Sequence, residues 1–294
     1  MLGVVNLDKP VGPTSHDMVG LVRRLSGMRR IGHAGTLDPL ASGVLPVLVG
    51  AATRFSEELT GGTKRYEAVV RLGARSATDD AEGPITAGSQ PPSFDEAVAA
   101  LARFVGTFEQ RPPAYSARKV GGRTAYRAAR MGVVVDLAAR AVRVDALELR
   151  GFEAGTGWLD LHLDLRCGPG TYVRSIARDL GEQLGCGGYL AGLRRTEAAG
   201  LSLESAVTAA QLEELAADGR LAEAVLPIGG LLSLPELTLD AVGAARFRHG
   251  LPVSVGDPRS GGRYAVHAGA DVIGVGVLDD GTLRPVKVLS AARR

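Results

Sequence analysis

Apolar positions along this chain recur with two periods, and the switches between them mark out its elements. Residues 3–7 are a short apolar run that reads as a strand, and Pro10, Gly12 and Pro13 then force a turn. Thr14 with Asp17 three positions on fits a capping box. Met18, Leu21, Val22 and Leu25 follow at helical spacing, with Arg23 and Arg24 in the last turns, where cations suit the helix dipole. Between 31 and 46 neither period is sustained and two prolines and three glycines punctuate the chain. That stretch is expected to be a structured loop, the kind of segment that often carries function.

A strand is expected over 66–72. Ser93 and Glu96 cap a helix whose apolar face is expected to include Val98, Leu101 and Val105. The clearest strand runs over 159–165, where leucines at 159, 161, 163 and 165 alternate with Asp160, His162 and Asp164. After Gly168 and Gly170 a helix places Ile176, Leu180 and Leu184 on one face. Strands dominate the centre and βαβ units are few, which favours an α+β fold around a mixed, mostly antiparallel sheet. Pro227, Gly229, Gly230 and Pro235 suggest a boundary, so two domains are expected, 1–230 and 231–294. The second holds a short helix over 240–249, short strands, and a hairpin signal at Asp279, Asp280 and Gly281.

Composition narrows the class. At 294 residues and 45% hydrophobic content the chain can bury a substantial core. Asp8, Lys9 and Pro10 interrupt the first apolar segment, unlike a secretory signal, and no segment reaches the roughly 18 apolar residues of a membrane helix. A cytoplasmic, soluble protein with no membrane contact is expected. Cys167 and Cys186 lack any CxxC or Cys/His clustering, so buried thiols are expected rather than a metal site or a disulfide. A net charge of +2 indicates no particular partner, but the charges are unevenly placed. Over 111–135 there is no acidic residue, while Arg111, Arg118, Lys119, Arg123, Arg127 and Arg130 stand among Tyr115 and Tyr126.

One carboxylate stands out. Residues 32–46, GHAGTLDPLASGVLP, set Asp38 between Leu37 and Pro39 in otherwise apolar and rigid surroundings. Alone, such an Asp reads as a turn residue before proline. With LDKPVGPTS at 7–15, KRYEAVVRLG at 64–73, CGPGTYVRSIARDLGEQLG at 167–185 and YLAGLRRT at 189–196, the string resembles the TruB family, enzymes that make pseudouridine at position 55 of tRNA.

The resemblance implies the pseudouridine synthase fold, a mixed and mostly antiparallel sheet, followed by a small β-rich PUA-like domain that binds RNA. It implies isomerisation of uridine 55 in the T-stem-loop of tRNA, with Asp38 as nucleophile, no cofactor and no metal. An ionised carboxylate in an apolar pocket needs a cation, and the resemblance places Arg174, from TYVRS, beside it. Tyr66 matches a tyrosine that stacks on the target base and takes part in proton handling. Tyr172 and Leu193 match residues lining the uracil pocket. His33 matches a residue that contacts RNA as the base is flipped out, a step costing a few kcal/mol. Lys9, grouped with the substrate-binding residues, is expected to brace the catalytic loop. The basic run over 111–135 corresponds to an insertion that grips RNA, and Arg29, Arg30, Arg194 and Arg195 add positive charge near the matched motifs.

Three other readings compete. A non-catalytic tRNA-binding or chaperone module would not need Asp38, Tyr66 and Arg174 together. The relatives guided by RNA and partner proteins carry basic tails that this chain lacks, so a monomer with no required protein partner is expected. A glycosidase would need paired carboxylates and a phosphotransferase a magnesium cluster, and neither pattern is visible.

Overall fold

The structure, a computed structural model, describes residues 1–115, 119–120, 123–124, 137–256 and 261–289. The helix predicted from Thr14 is α1 (Ser15–Ser26). Thr14 and Asp17 form both halves of the capping box, and Gly27, with φ of 65°, stops the helix in the left-handed conformation that glycine adopts cheaply.

The first strands are β1 (Gly3–Lys9), β2 (Ile31–His33), β3 (Ala41–Val49) and β4 (Lys64–Leu72). Two small antiparallel pairs follow, β5 (Ala74–Ser76) with β6 (Ile85–Ala87) and β8 (Lys119–Val120) with β9 (Arg123–Thr124). Between them runs β7 (Gly106–Gln110), and after them come β10 (Arg140–Gly155), β11 (Trp158–Cys167) and β12 (Gly188–Ala198). Two-residue strands β13 (Leu201–Ser202), β14 (Val207–Thr208) and β15 (Val225–Leu226) finish the large sheet, whose order is β14-β1-β3-β12-β4-β11-β10-β7. The pairings β1–β14 and β12–β3 are parallel and the others antiparallel, as the α+β reading expects.

Residues 31–46, expected to be a loop, are half strand: β2 and the first part of β3 lie within them, leaving only 34–40 irregular. The reason is tertiary. β3 sits between β1 and β12, and its ladders override the weak local propensity of Gly43 and Pro46. Pro46 is tolerated because a strand residue's N–H and C=O face the same way. Its carbonyl accepts from Ala34 N at 2.9 Å, away from β1, so the missing donor faces the loop and not the β1 ladder.

Helix α2 (Ser56–Thr60) precedes β4, and α3 (Phe94–Leu101) carries the predicted Ser93–Glu96 capping box. Its buried face is Ala97, Ala100 and Leu101, continued by Phe104. Val98 and Val105, expected on that face, are 38% and 47% exposed. Val98 falls one position outside the i, i+3, i+4, i+7 stripe, and Val105 lies beyond the helix in extended backbone. The leucines of β11 meet Val70 and Leu72 of β4, and Ile176, Ala177 and Leu180 of α4 (Val173–Gln183) cover that layer. Each leucine buried in this way contributes about 1.5–3 kcal/mol. Both cysteines are buried and free.

Helix α5 (Ala209–Ala217) packs on α1. Beyond it, strands β16 (Glu236–Thr238), β17 (Val253–Ser254), β18 (Gly262–Ala268), β19 (Asp271–Asp279) and β20 (Thr282–Val288) form a separate sheet of order β16-β18-β19-β20-β17, backed by α6 (Ala241–Arg248). The β19–β20 turn has positive φ at both Asp280, 44°, and Gly281, 67°, which the twist of a tight hairpin requires. Phe247 anchors this small core. The two sheets are joined through Phe55, Leu59, Ile228, Leu232, Ala265 and Val275, and through Glu58, which pairs with Lys287 at 2.9 Å and with Arg263.

Candidate active site

Asp38 stands at the tip of a loop held from several sides. Ser15, at the start of α1, donates its hydroxyl to Leu37 O at 2.9 Å and accepts from Leu37 N at 2.8 Å. Gly12 N donates to Pro39 O at 2.9 Å. Lys9 is wholly buried, and its ammonium donates to Pro10 O at 2.8 Å and Pro13 O at 2.7 Å, which fixes the turn that carries Gly12. It therefore braces the loop and does not line the pocket. Arg195 ties the loop from β12, with Nη2 to Gly35 O at 2.9 Å and Nε to Val44 O at 2.7 Å. The loop closes at Gly43, φ 101°, where any Cβ would sit 2.1 Å from Arg195 O.

Arg174, 5% exposed in the first turn of α4, reaches Asp38: Nη2 lies 2.9 Å from Oδ2. Both terminal nitrogens of the guanidinium have further partners. Nη1 stands 3.3 Å from Asp80 Oδ2 and donates to Thr78 O at 3.2 Å, while Nη2 also donates to Tyr115 O at 2.9 Å. Asp80 is fixed in turn by Thr78 Oγ1 at 2.5 Å and by Glu82 N at 3.1 Å. Burial pushes the Asp38 carboxyl above the usual carboxylate range. The Arg174 cation opposes that shift, the Asp80 charge adds to it, and Lys9 works against it. The side chain remains 38% exposed to the pocket, open to a ligand.

The pocket has a volume of about 240 Å³ and gathers Asp38, Tyr66, Tyr172, Arg174 and Leu193 from four separate stretches of sequence. Tyr66 is buried, and burial holds its phenol above the ordinary value while the Arg195 guanidinium, hydrogen-bonded to it, pulls the other way. Tyr172 is set by its backbone: its N–H donates to Gln110 Oε1 at 2.9 Å and its carbonyl accepts from Gln110 Nε2 at 3.1 Å. Arg140 lies over its ring at 5.4 Å.

His33, on β2, is outside the pocket lining. Its Nδ1 is buried without a hydrogen-bond partner among the described residues, and burial with the Arg195 charge lowers its pKa, so the ring is neutral at pH 7. Of the basic run, Arg118, Arg127, Arg130 and Tyr126 lie outside the described residues, as do the side chains of Lys119 and Arg123. Arg111 and Tyr115 place their carbonyls on α4, on Ser175 and Arg178 and on Arg174 respectively. Arg29 and Arg30 are exposed. Arg194 pairs with Asp8 at 2.8 Å, and Arg195, expected as charge for the RNA surface, is 1% exposed and belongs to the pocket interior.

Sequence reasoning missed Asp80, Ser15 and Lys64. Ser15 was hidden as an ordinary first-turn serine. Lys64 did leave a signal: it falls in the buried phase of β4, with Tyr66, Ala68, Val70 and Leu72.

Family comparisons agree across the chain. Residues 23–173 match the model of the TruB family pseudouridylate synthase N-terminal domain, 174–233 a tRNA pseudouridylate synthase B C-terminal domain, and 235–289 a pseudouridine synthase II TruB C-terminal domain. The tRNA pseudouridine synthase B of Ralstonia pickettii (strain 12J) is 41% identical over 98% of this chain and 94% of its own length. That of Burkholderia pseudomallei (strain 668) is 43% identical over 98% and 96%. Among solved structures, a Cbf5-Nop10-Gar1 complex aligns with TM-score 0.74 and 26% identity, covering 98% of this chain and 84% of the other. An H/ACA RNP bound to a substrate RNA containing 2′-deoxyuridine aligns at 0.76 and 24%, covering 99% and 86%, a likeness of fold.

Proposed function

Since the chain belongs to the TruB family of pseudouridine synthases, we propose that it isomerises uridine 55 in the T-loop of tRNA to pseudouridine, with Asp38 as the nucleophile. The observation that carries this reading is the pairing of Asp38 with Arg174 in a pocket that also gathers Tyr66, Tyr172 and Leu193.

The reaction breaks the bond from ribose C1′ to N1 of uracil, turns the ring, and joins C1′ to C5, with the C5 proton lost and one gained at N1. The detached base must not escape. A pocket of about 240 Å³ walled by aromatic and aliphatic side chains suits a retained pyrimidine ring. Asp38 acts at ribose C1′ or at C6 of the base, or the base leaves after deprotonation at ribose C2′ to a glycal; all three need a carboxylate beside the glycosidic bond. Arg174 favours the charged form of that carboxylate against its burial. Tyr66 stacks on the base and its hydroxyl takes part in proton movement. The neutral ring of His33 sits at the gap the flipped base leaves, and the basic run over 111–135 grips the arm.

We assign residues 1–230 to catalysis and 231–294 to a PUA-like, RNA-binding unit, working as a cytoplasmic monomer that needs no protein partner and no cofactor. Among the described residues no helix is long and apolar enough to cross a membrane. The test is a T-stem-loop RNA assayed for pseudouridine with wild-type protein and Asp38→Asn. Conversion by the wild type alone supports the reading; equal conversion by both would sink it.

A further inference from the structure

Strand β4 alternates inward and outward side chains, and Lys64 shares the inward phase. It is 7% exposed, and its ammonium donates to Gly62 O at 2.8 Å and to Thr60 O. Arg195, 1% exposed on the neighbouring β12, is likewise held by carbonyls, those of Val44 and Gly35. Both line the pocket that holds Asp38. Among the described residues neither forms an ion pair with a carboxylate, because Arg174 takes both Asp38 and Asp80. Two buried cations held only by neutral groups, backbone carbonyls and, for Arg195, the Tyr66 phenol, are costly, and an arriving anion would relieve that cost.

We infer that Lys64 and Arg195 form an anion subsite that receives a phosphate of the extruded nucleotide. The inference rests on the reading that a flipped uridine occupies this pocket. A nucleotide drawn into it brings a phosphodiester on either side, permanently charged and present before any bond to the base breaks. The other conceivable anion, a detached uracil, exists only transiently.

The surroundings of Lys64 leave this charge uncompensated. Arg195 faces it from β12 and Cys167 from β11, the thiol pushed up to about 11 by burial and so neutral at pH 7. Tyr66 lies two positions along its own strand, and Asp38 and Arg174, across the pocket, are spent on each other. Burial and Arg195 lower the ammonium to about 8. A bound phosphate raises it again, so RNA binding takes up a proton and weakens as pH climbs past 8.

The test uses Asp38→Asn protein and T-stem-loop RNA in which one phosphate beside the target uridine is replaced by a neutral methylphosphonate. One of the two substitutions is expected to weaken binding about tenfold at pH 7 and to abolish the loss of affinity between pH 7 and 9. With Lys64→Met added, the gap between neutral and natural RNA should shrink to the part that Arg195 supplies, and its dependence on pH should disappear. If neither substitution affects binding, the subsite is refuted without any change at Lys64. If Lys64→Met in the Asp38 protein lowers kcat while KM holds, the cation serves the detached base and the inference is also refuted. Failure of the wild type to make pseudouridine would overturn the functional reading instead, and the binding arm would still decide the subsite.

Discussion

Asp38 and Asp80 share one guanidinium: Arg174 Nη2 lies 2.9 Å from Asp38 and Nη1 lies 3.3 Å from Asp80. The buried Asp80 therefore has two opposing effects on the half-buried Asp38. It orients the arginine that favours the charged form of Asp38, and its own charge pushes the Asp38 pKa up.

Asp80→Asn separates these effects. Removing one partner of a buried pair is expected to cost about 3 kcal/mol, the low end of the usual range because Asp38 and two carbonyls still hold Arg174. With the neighbouring negative charge gone, Asp38 ionises more readily, so the acid limb of the pH–rate profile moves to lower pH. Chemical denaturation and kcat/KM between pH 4 and 8 read the two outcomes; an acid limb that moves upward would contradict the arrangement.

Asp38→Asn should abolish isomerisation and leave the fold at least as stable at pH 7. An acid whose folded pKa is raised above its ordinary 3.8 binds more proton folded than unfolded, so stability is lost as pH rises through that window. Asparagine cannot ionise and escapes the loss. The stability difference between the two proteins should vanish below pH 3.8, as thermal unfolding at pH 3 and pH 7 would reveal.

Gly43→Ala should cost about 3 kcal/mol or more and remove activity, because the new methyl meets the Arg195 backbone at 2.1 Å where neither strand can yield. Gly281→Ala, at φ 67° with nothing within 4 Å, provides the contrast at about 1–2 kcal/mol with activity retained. Equal losses from the two would mean that conformation alone, and not the strand contact, requires Gly43.

Glu58→Gln is expected to cost about 1.5–3 kcal/mol and to loosen the small sheet from the large one, since its carboxylate, 3% exposed, holds both Lys287 and Arg263. Calorimetry should show a broadened or split transition, while kcat on saturating RNA stays within about twofold of wild type.

Much of the fold was legible wherever the sequence pattern was locally self-sufficient. Thr14 and Ser93 announced their capping boxes, the alternating leucines at 159–165 announced β11, and Asp280-Gly281 announced a tight turn. The stretch 31–46 was misread because β3 owes its conformation to ladders with β1 and β12, contributed by residues about 40 positions before it and about 150 after it. The face of α3 was misread because Val98 is apolar without being on the stripe.

The sequence by itself determined the helix caps, the alternation of β11 and, through the motifs around Asp38, Tyr66 and Arg174, the family and its chemistry. These follow from spacings of a few residues or from whole strings matched in order. Only the tertiary structure decided that Asp80 stands behind Arg174, that Ser15 and Lys9 clamp the loop carrying Asp38, and that Lys64 and Arg195 are cations with no carboxylate among the described residues. Burial and pairing are properties of neighbours in space. A lysine two positions before a tyrosine reads the same in sequence whether its ammonium meets water or the floor of a pocket.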